Sequence, residues 1–259
     1  MCKISGTATG GSQTYWGSNA LYRNLGNGAF ADVTAQSGTA GPSEEWSTGC
    51  TFIDYDRDGR LDLFVTSYGS PRSAGKSACE WKGIPVACGP PIGRGGVSTL
   101  YRNRGDGTFE DVSRQAGLRG DHRCFGLTAV ATDLTRDGWT DIYVVCDGTP
   151  SLLFRNNRDR TFAEIGLQAG VALNQNGYEQ AGMGVAVGDY NHDGYLDLVK
   201  TNFEDDLPNL YRNVDREYFM DEAASAGLAD DWRYVGWGVG LVDLDNDGQT
   251  DIFQVNGHT

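Results

Sequence analysis

Four short stretches of this chain set hard oxygen donors at a fixed spacing. The first is Asp54-Tyr55-Asp56-Arg57-Asp58-Gly59-Arg60-Leu61-Asp62, with carboxylates at loop positions one, three, five and nine and glycine at six. The frame returns with Asp133, Thr135, Asp137, Gly138 and Asp141, with Asp189, Asn191, Asp193, Gly194 and Asp197, and with Asp243, Asp245, Asp247, Gly248 and Asp251. A loop folded at its glycine, where positive φ costs nothing, aims these oxygens at one centre. Calcium is the cation this suits, because it accepts six to eight oxygens at about 2.3–2.6 Å in irregular geometry. The backbone carbonyls at position seven, on Arg60, Trp139, Tyr195 and Gln249, are expected to join the side chains, for up to four Ca2+ ions in all. The second loop, with Thr135 at position three, should be the weakest.

One such loop could be only a polar turn, since Asp, Asn and Gly are common turn residues; four copies in register argue for a shared ligand. An EF-hand needs a bidentate glutamate at position twelve, and Val65, Val144, Lys200 and Gln254 stand there instead. Extracellular modules of this hard-oxygen kind hold calcium at about 10⁻⁴–10⁻³ M, which suits an oxidising, calcium-rich exterior. The formal charge of −14 then reads as ligand rather than as a general acidic coat, because four divalent ions would offset more than half of it. Nucleic acid is not an expected partner of so acidic a chain.

The elements that must hold the loops are short strands. The 37 glycines punctuate the sequence too often for long helices, and no apolar run nears the roughly 20 residues that span a bilayer, so membrane insertion is not expected. Strand patterns such as Gly49–Ile53 enter an acidic loop, and others such as Leu61–Val65 leave it. A second motif interleaves: Leu21-Tyr22-Arg23-Asn24, Leu100-Tyr101-Arg102-Asn103, Leu153-Phe154-Arg155-Asn156 and Leu210-Tyr211-Arg212-Asn213, each followed by a turn and a strand carrying Phe30, Phe109, Phe162 or Phe219. Asn-Gly and Asp-Gly turns mark the first two as hairpins. The later turns, at Arg158-Asp159-Arg160 and Asp215-Arg216-Glu217, lack glycine and are expected to be looser.

Two strands around a loop plus a hairpin make four antiparallel strands, the pattern of a propeller blade. Small residues such as Gly182, Gly184, Gly236 and Gly238 fall on the innermost strand, where blades crowd the axis. The loops begin 79, 56 and 54 residues apart, a propeller-like period of about 55 with one insertion. The insertion covers about 70–98, where prolines and glycines replace the strand pattern. The fold class is therefore all-β, a β-propeller of four-stranded antiparallel blades over residues 1–259, with a half-blade at each terminus. Either the N-terminal hairpin completes the last half-blade and closes a ring of four, or the chain is a segment of a larger propeller. The second reading is preferred, since four blades would have to spread widely around the axis.

These residues resemble the FG-GAP/VCBS repeats of integrin α-type β-propellers. With Trp46-Ser-Thr-Gly-Cys50, the Cys79–Cys88 segment, Gln180-Ala-Gly-Met-Gly184 and Val255-Asn-Gly-His258, they are more closely similar to the cartilage-acidic-protein-like family of secreted proteins, which often carry an ASPIC/UnbV domain. Family members usually have a signal peptide and further blades, and Met1–Gly6 shows no apolar leader. The resemblance implies a secreted, cell-surface or periplasmic protein and offers no catalytic residues.

Cys79 and Cys88 are close enough for a short bridge. Cys50, Cys124 and Cys146 read as small buried hydrophobes, with a Cys124–Cys146 bridge as the alternative. His122, His192 and His258 form no nucleophile or phosphate-loop pattern; an acidic site from Tyr178, Glu179, Asp205 and Asp206 is the enzymatic alternative, as a polysaccharide-acting enzyme or its accessory domain. The preferred function is a non-catalytic, calcium-stabilised propeller that binds a protein or glycan. Its face aromatics are Tyr68, Trp81 with Lys82, Tyr178, Trp232 and Tyr234, each of which could equally be packing between blades. A structural subunit of an envelope or filament assembly is the third reading.

Overall fold

The computed structural model describes residues 18–43, 45–70, 79–81, 83–86, 90, 95–229 and 233–257. In chain order its strands begin with the hairpin β1 (Tyr22–Asn24) and β2 (Phe30–Asp32). The first full blade holds β3 (Trp46–Ile53) and β4 (Asp62–Gly69), and, after the small hairpin β5 (Cys79–Trp81) and β6 (Ile84–Val86), β7 (Thr99–Asn103) and β8 (Phe109–Asp111). The second holds β9 (Gly126–Thr132), β10 (Asp141–Cys146), β11 (Leu152–Asn156) and β12 (Phe162–Glu164), and the third β13 (Gly182–Gly188), β14 (Asp197–Asn202), β15 (Asn209–Asn213) and β16 (Phe219–Asp221). The last pair is β17 (Val235–Val242) and β18 (Asp251–Gly257), and the helices, α1 (Thr34–Ser37) and α2 (Gly166–Ala169), are single turns.

Each full blade is a four-stranded antiparallel sheet in sequence order, while β1–β2, β5–β6 and β17–β18 are separate two-stranded sheets. The N-terminal hairpin therefore does not complete the β17–β18 pair, and the four-blade ring is not formed. The insertion also differs from expectation, because its centre pairs as a hairpin with Trp81 opposite Ile84. The turns without glycine close like the others: Asn157 donates to Thr161 O at 2.9 Å and Arg104 to Thr108 O at 3.0 Å. The reason is local. Asn156 Oδ1 accepts the Arg158 N–H and Asp159 Oδ1 the Thr161 N–H, and these side-chain turns hold Arg158 and Arg160 at φ of 69° and 72°.

The core lies between blades, face to face. Ile53, Phe64 and Leu100 of the first sheet pack on Ile142, Val144 and Phe154 of the second, whose other face sets Tyr143, Val145 and Leu153 against Leu198, Tyr211 and Phe219 of the third. A middle blade is covered on both sides, so all six residues of β10 are buried rather than alternating. Where innermost strands meet, side chains run out of room: a Cβ on Gly184 would stand 2.0 Å from the Trp237 carbonyl oxygen.

The cysteines depart from the preferred reading. Cys124 and Cys146 form a disulfide with Cα atoms 5.7 Å apart, stapling the start of β9 to the end of β10, and Cys50 is an exposed free thiol. The antiparallel pairing brings Cys146 opposite Gly126, two residues from Cys124, which is why the bridge closes. Cys88, and hence the expected Cys79–Cys88 bridge, lies outside the described residues, as do Lys82, Trp232 and His258.

Candidate metal centre

The first two strands of every blade place an acidic loop at the same end, and all four loops take one backbone. Position four is left-handed at Arg57, Arg136, His192 and Asn246, and position six at Gly59, Gly138, Gly194 and Gly248. The position-one carboxylate grips the turn from inside, accepting the N–H of positions five and six: Asp54 from Asp58 and Gly59, both at 3.0 Å. Asp133, Asp189 and Asp243 do the same. Position five accepts the N–H of position seven, as Asp58 from Arg60 at 3.0 Å and Asp137 from Trp139 at 2.8 Å. A carboxylate has about four lone-pair sites, so one or two amides leave room for a cation.

The side chains converge at two of the loops. Ligand atoms of Asp54, Asp56 and Asp58 lie within 4.8 Å of one another, as do those of Asp243, Asp245 and Asp247. Loops two and three offer two carboxylates with Thr135 or Asn191 between them, and Asn191 Nδ2 turns to Asp193 at 2.9 Å. Asp56 is distinctive. Both its oxygens are buried and, among the described residues, accept no hydrogen bond, although the Arg102 and Arg160 guanidinium nitrogens stand 3.0 and 3.5 Å from one of them. A buried carboxylate without hydrogen bonds is costly unless a cation compensates it.

The aspartates at position nine have a different setting. Asp62 Oδ1 accepts the N–H of Asn103 at 2.8 Å and Oδ2 that of Tyr55 at 3.3 Å. Asp141 holds Asn156 and Thr135, and Asp197 holds Asn213 and Tyr190, in the same way. Asp251 holds Leu244 at 2.9 Å. Burial raises the carboxyls of Asp62, Asp141 and Asp197 to about 6, against the opposing pull of those amides. Asp62, Asp141 and Asp197 thereby tie their loops to the third strand of their own blade, while Asp251 closes on its own loop.

Sequence reasoning missed the links from loop to loop. Asn156 Nδ2 donates to Tyr55 O of the preceding loop, and Asn213 Nδ2 to Leu134 O, both at 2.9 Å. Arg57, at position four, stacks over the Trp139 ring, at position seven of the next loop, and Arg136 over Tyr195. The recurring Arg-Asn of the hairpins was the available signal; it marks the strand that reads two loops at once.

The other candidates separate. Asp205 and Asp206 line a polar cleft of about 170 Å³ with Asn174, Gln180 and Asp221, but Tyr178 and Glu179 do not line it and are exposed. The expected four-residue acidic site is thus not assembled. Tyr178 and Tyr234 are exposed, while Tyr68 is partly buried and donates to Asp147.

A model of the FG-GAP-like repeat matches residues 8–65, 86–144 and 133–199, more than half of the chain. The chain belongs to the FG-GAP-like repeat family. Cartilage acidic protein 1 of Xenopus tropicalis is 26% identical over 202 residues, 77% of this chain and 27% of that protein, so the chain spans about a quarter of the relative's length. A solved lectin of Agrocybe aegerita, described as specifically recognising non-reducing terminal N-acetylglucosamine, aligns over 97% of this chain and 60% of its own at 18% identity, with a TM-score of 0.46. Within this FG-GAP-like chain the repeat unit is the blade, and the acidic loop is its most uniform part. Among the described residues no helix is long and apolar enough to cross a membrane.

Proposed function

We propose that this FG-GAP-like chain is a calcium-stabilised, non-catalytic propeller that works outside the cytoplasm and presents its face loops to a protein or glycan. The reading rests chiefly on Asp56, a buried carboxylate that accepts no hydrogen bond among the described residues and faces the Arg102 and Arg160 guanidinium groups with one oxygen, inside a convergent acidic triad. Positions one, three and five would hold the ion with the carbonyl at seven, and the ninth-position aspartates remain candidates to complete the shell. Bound calcium supplies charge compensation, and the protein's own part is to keep the loops pre-folded through the amide contacts above. At millimolar affinity, about 10 mM calcium would stabilise by roughly 1.5–3 kcal/mol per occupied site. Thermal unfolding in calcium, in magnesium and in chelator tests this. A midpoint that rises with calcium well beyond magnesium supports it, and an unchanged midpoint overturns it.

A further inference from the structure

The ends of the strands remote from the acidic loops surround a bowl of about 660 Å³, within the size range of small-molecule sites. Its wall follows the repeat. Thr48, Leu127, Met183 and Trp237 line it, and each stands six residues before the first aspartate of its loop. Tyr68, Asp147 and Phe203 form a second tier, each fourteen residues after that aspartate. One blade thus sets a carboxylate where its neighbours set aromatic rings, and among the described lining residues there is no other charged side chain.

Trp46 and Trp237 are 42% and 43% exposed, open to a ligand. The Tyr68 hydroxyl donates to Asp147 Oδ2, and Phe125 braces the Tyr68 ring at 5.2 Å, fixing the carboxylate beside an aromatic wall. Among the described residues no Lys or Arg pairs with Asp147, and burial raises its carboxyl from the ordinary value. Among the described residues this carboxylate has no compensating cation, and aromatic faces attract cations as well, best when these are poorly hydrated.

We propose that this bowl is a binding site for a small organic cation, an alkylated ammonium on an apolar or aromatic body, with Asp147 facing the charge and Trp46, Tyr68, Phe203 and Trp237 enclosing it. It is independent of the calcium reading, since the two sites lie at opposite ends of the strands.

The test titrates the full chain, in calcium, with benzyltrimethylammonium, against benzyl alcohol as the neutral control and phenylacetate as the anionic one, by calorimetry and tryptophan fluorescence. Saturable binding of the cation, with both controls at least tenfold weaker, is expected. Asp147→Asn, which retains an oxygen for Tyr68, should weaken it at least tenfold with the thermal midpoint unchanged. Trp237→Leu, at a half-exposed position, should weaken it several-fold and serves as the deciding variant if Asp147→Asn does not fold. No saturable binding up to about 10 mM, equal affinity for charged and neutral probes, or parental affinity in a folded Asp147→Asn or Trp237→Leu protein each overturns the proposal.

Discussion

The side-chain amide of Asn156 donates to the main-chain carbonyl of Tyr55 at 2.9 Å, across 101 residues of sequence and from one blade to the next. Its own N–H is held by Asp141, so one residue joins two acidic loops. Asn156→Ala leaves buried groups without partners, a loss worth about 1–3 kcal/mol. Asn213→Ala should cost as much, because its amide reaches Leu134. Asn103→Ala should cost less, since its amide reaches only Leu61 of its own blade at an exposed site. Denaturant unfolding of the three variants checks the order.

Asp56→Asn should change stability in a way that depends on calcium. With calcium the variant is expected to lose most of one site's stabilisation, about 1.5–3 kcal/mol. In chelator the loss should be smaller, confined to the ion pairs that Asp56 makes with Arg102 and Arg160, whose removal is itself destabilising. Midpoints measured in both conditions decide it; an equal loss in the two would make Asp56 an ordinary core residue.

Gly184 and Gly238 occupy equivalent positions on β13 and β17, five residues before their loops. A Cβ at Gly184 would meet the Trp237 carbonyl oxygen at 2.0 Å, and at Gly238 it would meet nothing within 4 Å. Gly184→Ala should therefore destabilise by about 1–3 kcal/mol or more, and Gly238→Ala by less than about 0.5 kcal/mol. Paired urea titrations would show it.

Lys200 sits in the middle of β14, 1% exposed, with its ammonium 3.2 Å from Gln180 Oε1 and 5.7 Å from the Tyr211 ring centre. Burial lowers it to about 8, against the attraction of Asp206 and Asp221. Between about pH 8 and the unfolded value of 10.5 the unfolded chain holds a proton that the folded chain has released. Stability should therefore rise with pH in that window, by about 2 kcal/mol between pH 7.5 and 9.5. Unfolding at the two pH values measures the slope, and Lys200→Met should flatten it.

The blades and their loops were legible because each rests on local chemistry: the Asp/Gly frame fixes a turn, and the hairpin motif fixes a strand pair. Contacts between units were not. The reach of Asn156 to Tyr55, the stacking of Arg57 on Trp139 and the Cys124–Cys146 bond depend on how successive sheets lie against one another, which no periodicity specifies. The turn at Arg158–Arg160 was misjudged for a related reason. Asn and Asp side chains can hold a left-handed backbone that arginine alone would resist. For the ninth-position aspartates the spacing implied ligands, and three-dimensional structure adds the amide partners that an extended view of the loop hides.

The rim contacts also impose grammar on the repeats. Arg57 needs an aromatic residue at position seven of the following loop, and Arg136 finds one in Tyr195; His192 and Gln249 stand where the third such pair would be. Units that share one frame are therefore not interchangeable words. Exchanging two of the three full blades would preserve every loop and still leave at least one of these arginines without a ring, so the succession of blades is itself encoded, and a shuffled chain of the same composition would spell a weaker molecule.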